Sequence, residues 1–220
     1  MQVYPSMPTA NQLRRQQASN RKMARCGYQI FAGPLYTLDD SEAVIRTPQD
    51  TIRRAMILWL LGCAADGTDR VEIRDSVADC GLAPHLSPAE AAYLASSMCD
   101  PQTETDTKWR LEASWILLWA LRKLWWLNAP DTLCNCVRMA NILAPLESEI
   151  LLSGSFSLRS KAKLLDVLDL TLRQHWAVRD DYVRGVHRIP AVFARVVCQR
   201  HHALVWLTST TQWDEVMTDT

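Results

Sequence analysis

Residues Thr107–Trp126, TKWRLEASWILLWALRKLWW, decide the fold of this chain. Their apolar side chains fall on every side of a helical wheel, a pattern typical of a helix that is buried all round. The most apolar part, ASWILLWAL at 113–121, lies between Glu112 and Arg122. It is much shorter than the roughly 20 apolar residues that a membrane span needs. The stretch therefore predicts a central core helix wrapped by other helices.

Signals for helix starts occur upstream of this segment. The stretch 47–50, Thr-Pro-Gln-Asp, supplies an N-cap hydroxyl, a first-turn proline and an acid, for a helix that should end near Gly62. The stretch 87–90, Ser-Pro-Ala-Glu, forms a capping box. Only Arg70–Val77 is ambiguous between a short strand and a helix. Further helices are predicted over 130–143, 158–179 and 190–207.

These signals predict an all-α fold, a single-domain multi-helix bundle around a central Trp-rich helix with at most a minor strand element. The first 38 residues contain no acid, and their apolar residues follow no helical period. We therefore expect residues 1–20 to be a flexible basic arm and residues 21–220 to form the helical domain. The alternative is that the arm contacts an anion or a partner. The cations of residues 1–38 are Arg14, Arg15, Arg21, Lys22 and Arg25.

Composition excludes several classes of function. The 24 basic residues balance 24 acidic residues, so no overall charge draws the chain to nucleic acid or to an anionic membrane. The seven glycines match neither the G-x-G-x-x-G dinucleotide motif nor a P-loop. No apolar export signal is visible near the N-terminus, and the seven cysteines lack the spacing of a disulfide framework. We therefore expect a cytoplasmic protein that does not contact a membrane.

The polar residues of the second half form a series with a characteristic order and spacing. It includes WRLE at 109–112, RQHWA at 173–177, RHHALVWL at 200–207 and WDEVMTDT at 213–220. In residue type and spacing the series resembles the bacterial domain-of-unknown-function family numbered 4272, over nearly the whole chain from about residue 20. This resemblance implies a single, mainly helical domain and no established activity.

Four residues depart from the pattern that this family usually shows. The departures put catalysis at the first two of these positions in doubt, because an acid and an amide are lost there. They are Gln199 in place of an acid, Val205 in place of asparagine, Arg122 in place of glycine and Lys163 in place of a capping-box glutamate.

Candidate site residues lie in the last two predicted helices. Asp169 and Arg173 are four residues apart with the acid first, which favours an ion pair along one helix face. His175 follows them beside an apolar stripe. His201 shares a face with apolar residues, so we expect it to be more buried than His202. Either the pair and the histidines support the core, or they belong to a binding or catalytic site.

The terminal segment Trp213–Thr220 is expected to fold back onto the bundle, because a tail without structure is usually small and polar. Its acids, Asp214 and Asp219, would then pair with Arg200 or Arg173, or cap a helix. If the chain is an enzyme or a small-ligand binder, the candidate residues are Asp169, Arg173, His175, Arg200, His201 and Asp214.

Metal ligands are sparse in the sequence. Cys134 and Cys136 have no second cysteine or histidine pair close by, and a helical i,i+2 spacing directs their thiols to different faces. Cys198 and a histidine three or four residues later give two ligands, with a third only from His175 in another helix. We therefore expect no metal and no cofactor.

Nine tryptophans are many for a chain of this length, and most fall within apolar helical patterns. Trp125 and Trp126 are adjacent at a predicted helix end, so both indoles cannot face the same side of the core. An exposed indole there would suit a partner protein. Chiefly because no complete nucleophile-base, metal or phosphate-loop constellation can be assembled, we expect a helical protein that binds another protein, for example a bacterial immunity or accessory protein that masks its partner. The alternative is the enzyme or ligand binder that uses the Asp/Arg/His cluster.

Overall fold

The computed structural model describes residues 7–96, 99–146, 148 and 154–218. Helices are the regular structure of these residues, and no strand occurs among them, which confirms the all-α prediction. The helices are α1 (Ala10–Arg25), α2 (Pro48–Ala65), α3 (Arg70–Asp79), α4 (Pro88–Ala95), α5 (Pro101–Trp109), α6 (Leu111–Ala120), α7 (Cys136–Leu143), α8 (Lys161–Val183) and α9 (Ala191–Leu207). Single 3-10 turns occupy Ala83–His85, Ala144–Leu146 and Trp213–Glu215.

Helix α6 is the centre of the bundle, as the sequence predicts. Its residues from Glu112 to Ala120 are all buried. Helices α2 and α9 both pack along α6, while α8 packs on α9 and α1 packs on α8. Helices α3 and α5 lie against α2. Within the described ranges, no helix combines the length and the apolar character that crossing a membrane requires.

The predicted helix over Thr107–Trp126 is wrong in its boundaries, since α5 ends at Trp109 and α6 ends at Ala120. At the end of α6 the N–H of Lys123 donates to the carbonyl of Leu118, and the N–H of Arg122 donates to the carbonyl of Trp119, both at 3.0 Å. Arg122 has a φ of 62°, in the left-handed region. This is a Schellman motif, which normally uses glycine at that position. An arginine there conceals the helix end from sequence patterns.

Other helix boundaries follow from local capping. The N-cap hydroxyls of Thr47 and Ser87 accept hydrogen bonds as the sequence predicts, and Ser87 forms the capping box with Glu90. The ambiguous segment at 70–77 is helical, because the Asp69 carboxylate caps α3. The helix expected from residue 130 begins later, at Cys136, where the side chain of Asn135 accepts from the N–H of Arg138 at 2.8 Å.

The expected flexible arm is wrong for residues 10–20, which belong to α1 and pack against α8. Thr9 starts this helix through a capping box with Gln12. Polar residues form two thirds of the buried stripe, so the stripe has no apolar period that sequence inspection could detect. The stripe consists of Arg15, Ser19 and Met23.

Two cations of the basic segment pair with acids elsewhere in the fold. The guanidinium of Arg15 is buried and lies 2.6 Å from Asp40. Arg14 lies 2.8 Å from Asp166 in α8. These ion pairs attach α1 to the bundle, so part of the positive charge of this segment has a structural role.

The terminal segment folds back as expected over its described residues, 213–218. Trp213 is buried and lies against Trp206 with 5.7 Å between the ring centroids. The Asp214 carboxylate accepts from the backbone N–H of Ala89 in the first turn of α4, at 3.1 Å. Arg200 is not its partner, because Arg200 is buried against α6 instead. Asp219 lies outside the described residues.

The left-handed conformation of Arg122 has a measurable cost. A side chain with a Cβ atom is strained there by about 1–2 kcal/mol, whereas glycine is not. We expect Arg122→Gly to raise the free energy of unfolding by about 0.5–1 kcal/mol in urea denaturation, after the entropy of the unfolded glycine is subtracted. Arg122→Ala is the control, since it removes the charge and keeps the Cβ, and it should give no such gain. Equal stabilisation by both variants would contradict the conformational explanation.

Candidate functional site

The loop 121–135 between α6 and α7 carries the two adjacent tryptophans that the sequence singles out. Trp125 is 82% exposed and Trp126 is 67% exposed. The sequence predicts that one of them is exposed, and both are. Exposed indoles are unusual, because burying one stabilises a protein or a complex by about 2–3 kcal/mol.

The side chain of Arg159 forms hydrogen bonds to the backbone at the start of this loop. Its Nε donates to the carbonyl of Trp119 at 2.8 Å, and its Nη2 donates to the carbonyls of Leu124 at 2.7 Å and Trp125 at 3.0 Å. The guanidinium also lies 4.7 Å from the centre of the Trp119 ring. One side chain therefore satisfies carbonyl groups at the end of α6 and in the loop, so the exposed indoles stand on a fixed backbone.

A buried ion pair holds the rest of the loop. Arg200 of α9 lies 3.1 Å from the carboxylate of Glu112 in α6, and both side chains are buried. Arg200 also donates to the backbone carbonyl of Asn128 at 2.8 Å and to its side-chain oxygen at 3.1 Å. The same oxygen accepts from the indole of Trp115 at 2.7 Å, and Glu112 accepts from the N–H of Cys134 at 2.5 Å. The pair thus joins two helices to both halves of the loop.

A cleft of about 810 Å³ lies beside this loop. The loop, α1, α8 and α9 supply its walls, and Trp125 and Trp126 lie at its edge. Residues that line the cleft and are nevertheless buried form its floor. They are Met23, Trp119, Thr171, Phe193 and Arg200. The floor is therefore largely apolar and contains one buried cation.

The rim of the cleft is basic. Lys22, Arg25 and Lys163 are exposed there, and none has an ion-pair partner among the described residues. Asp131 is the one acid within the described part of the chain that lines the cleft. In a chain with no net charge, this concentration of cations gives one surface a positive potential.

A family model described as "Domain of unknown function (DUF4272)" matches residues 15–216, almost the whole chain. The chain belongs to the DUF4272 family. No curated protein and no solved structure matches it significantly. The assignment agrees with the family resemblance seen in the sequence, and its description names no activity.

The predicted ion pair of this DUF4272 domain forms as expected. Arg173 Nε lies 3.0 Å from one carboxylate oxygen of Asp169, and Nη2 lies 3.2 Å from the other. Arg173 also donates to the carbonyl of Leu35 at 2.7 Å, which attaches the chain before α2 to α8. Both charged side chains are almost fully buried, so their contacts support a structural role.

The histidines form a second buried contact. The Nδ1 atoms of His175 and His201 are 2.9 Å apart, so one nitrogen must carry a hydrogen and the other must not. Cys198 Sγ lies 3.3 Å from Nε2 of His175. His201 is more buried than His202, as the sequence predicts. Burial, followed by the nearby His175 and His202, lowers the pKa of His201 to about 3.

The six candidate residues of the Asp/Arg/His cluster do not form one site. Asp169 pairs with Arg173, and His175 contacts His201. The other two, Arg200 and Asp214, contact α6 and α4 respectively, and of the six only Arg200 lines the cleft. Across the described ranges, no group of three or more His, Cys, Asp or Glu side chains is arranged to hold a metal ion.

The site includes residues that the sequence analysis did not identify. Glu112 and Asn128 bind Arg200 from positions 88 and 72 residues away in sequence, and Arg159 binds Trp119 across 40 residues. No local spacing indicates such contacts. A buried acid within an otherwise apolar run was a usable signal for Glu112, because such an acid requires a partner.

The buried histidine contact predicts a dependence of stability on pH. The pKa of His201 is lowered from 6.5 to about 3 in the folded state, so the unfolded chain gains a proton first as the pH falls. This contribution to stability is present above pH 6.5 and is lost as the pH falls toward 3. Between pH 6.5 and about 5.5 the free energy of unfolding falls by about 1 kcal/mol for this reason.

Urea denaturation of the wild type and of His201→Gln across this interval measures the effect. The variant should lose about 1 kcal/mol less stability than the wild type, because glutamine does not titrate. The comparison uses the change with pH, so an overall destabilisation of the variant does not affect it. Identical pH dependence in the two proteins would show that His201 takes up its proton equally in both states.

Proposed function

We propose that this DUF4272 domain is a binding protein that holds a segment of another protein in the cleft beside Trp125 and Trp126. The observation that carries the proposal is the pair of exposed indoles at the edge of a large, mainly apolar cleft. Tryptophan is among the residues that contribute most to protein–protein affinity when it is buried at an interface. A partner that covers both indoles would remove this exposed apolar surface from water.

The rigid backbone of the loop supports the same function. Arg159 binds three carbonyls of residues 119–125, and Arg200 binds Asn128. A loop that is already ordered loses little conformational entropy when a partner binds, so more of the contact energy appears as affinity. An enzyme or small-ligand site is less well supported, because the residues that would form it are dispersed into separate structural contacts.

A cytoplasmic accessory or immunity protein that masks its partner is the form of this function that we propose. The seven cysteines all lie in the described part of the chain and none forms a disulfide there, which suits a reducing compartment. A masking protein needs a preformed surface and no catalytic groups, and the loop with its cleft provides such a surface.

The test is the double variant Trp125→Ala/Trp126→Ala. Partners are identified by quantitative mass spectrometry after affinity purification from native cells, and the Kd of each purified partner is then measured calorimetrically. The double variant should bind at least about 30-fold more weakly, because loss of two anchors costs about 2 kcal/mol or more. Both side chains are exposed, so the melting temperature should hardly change.

Tyr182→Ala is the matched control, since Tyr182 is another exposed aromatic residue and does not line the cleft. It should bind the partner as the wild type does. A partner that binds the double variant and the wild type with equal affinity would place the interface elsewhere and contradict the proposal.

A further inference from the structure

We propose that the segment held in the cleft is acidic, and that one of its carboxylates reaches the buried guanidinium of Arg200. This inference rests on the proposed function, because it specifies the chemistry of the segment that the cleft binds. Three observations support it: the basic rim of the cleft, the buried Nε of Arg200 that has no acceptor among the described residues, and the apolar floor around Arg200.

The rim supplies charge complementarity. Lys22 and Arg25 in the last turn of α1 line the cleft, and so does Lys163 in the first turn of α8. None of these three cations has an acid partner within the described ranges. Cations left without partners in a neutral chain favour binding of a segment with negative charge, and they speed its approach.

Arg200 supplies a specific donor. The residue is 3% exposed and forms part of the cleft floor. Its Nη atoms donate to Glu112 and Asn128, whereas its Nε is buried and has no hydrogen-bond acceptor in the described part of the chain. A buried donor without an acceptor has a free-energy cost, because its hydrogen bond to water is lost on folding and is not replaced. A ligand oxygen within reach of Nε would remove that cost, and a carboxylate oxygen gives the strongest such bond to a guanidinium.

The floor around Arg200 defines the neighbouring group on the ligand. Met23, Trp119 and Phe193 are buried there and present apolar surface. A segment that places a glutamate or aspartate next to a large apolar side chain satisfies both parts of this floor. A nucleic acid fits less well, because its charges lie along a regular backbone and the net charge of this protein is zero.

Selection of short random peptides on the wild-type protein tests the inference, with Trp125→Ala/Trp126→Ala as the counter-selection. We expect the enriched peptides to carry net negative charge and an acidic residue adjacent to an aromatic or large aliphatic one. Enrichment of neutral or basic peptides would overturn the acidic segment and leave the proposed function intact. No enrichment over the counter-selection would contradict both.

Changes on the peptide avoid any effect on protein folding. The best peptide is resynthesised with each glutamate replaced by glutamine and each aspartate by asparagine, one at a time. At one position the affinity should fall at least about tenfold, because the charged bond to Arg200 is lost. An equal affinity for every resynthesised peptide would overturn the contact with Arg200.

Two neighbouring residues of α1 give a matched test of the rim. Lys22 lines the cleft, whereas Arg21 is exposed and does not line it. Lys22→Glu should reduce the affinity for the acidic peptide several-fold and make that affinity less dependent on salt concentration. Arg21→Glu should reduce the affinity less. Equal effects would overturn a specific role for the rim. If oligothymidylate displaces the bound peptide at a lower concentration than free peptide does, the cleft binds nucleic acid and the proposal of a protein segment is overturned.

Discussion

The ion pair between Glu112 and Arg200 is the contact on which the candidate site depends. Both groups are buried, so each would pay a large desolvation cost without the other. Burial lowers the pKa of Arg200, and the charge of Glu112 opposes that shift. Loss of one partner from such a pair typically costs about 3–5 kcal/mol. The pair therefore constrains α6 and α9 to one relative position, and it also fixes Asn128 and Cys134 in the loop.

The position of the loop follows from this constraint together with the end of α6. The Schellman motif turns the chain away from the helix axis at Arg122, and Arg159 binds the carbonyls that follow. The loop then has to return to Arg200 through Asn128. Trp125 and Trp126 lie between these two attachments and cannot turn into the core, which is filled by α6 itself. Their exposure is thus a consequence of how the surrounding chain is held.

Local signals explain how much of the fold the sequence predicts. The caps at Thr47 and Ser87 are contacts between residues three apart, so the sequence displays them directly. The end of α6 depends on a left-handed residue that is not glycine, and α1 buries Arg15 and Ser19 where a pattern search expects apolar residues. The capping box of Thr9 and Gln12 was the available sign of α1.

The candidate site is less accessible to sequence reasoning than the fold. The spacing of the tryptophan pair predicts one exposed indole on a helix, whereas both are exposed because they lie in the loop beyond the end of α6. The partner of Arg200 cannot be read from the sequence, since Glu112 lies in another helix and becomes a neighbour only when α6 and α9 pack. The expected pairing of Arg200 with Asp214 was wrong for this reason. Likewise, the cleft arises from several segments that are distant in sequence, and no single segment contains its pattern.

Hydrogen exchange of residues 122–135 in Glu112→Gln tests this account most directly. Glu90→Gln is the matched control, because Glu90 is also buried and pairs with an arginine, Arg54, outside the loop. If the Glu112 pair holds the loop, Glu112→Gln should speed exchange across 122–135 by about tenfold or more, and Glu90→Gln should leave it near the wild-type rate. Equal exchange of the loop in the wild type and in Glu112→Gln would contradict the claim that this pair positions the binding surface.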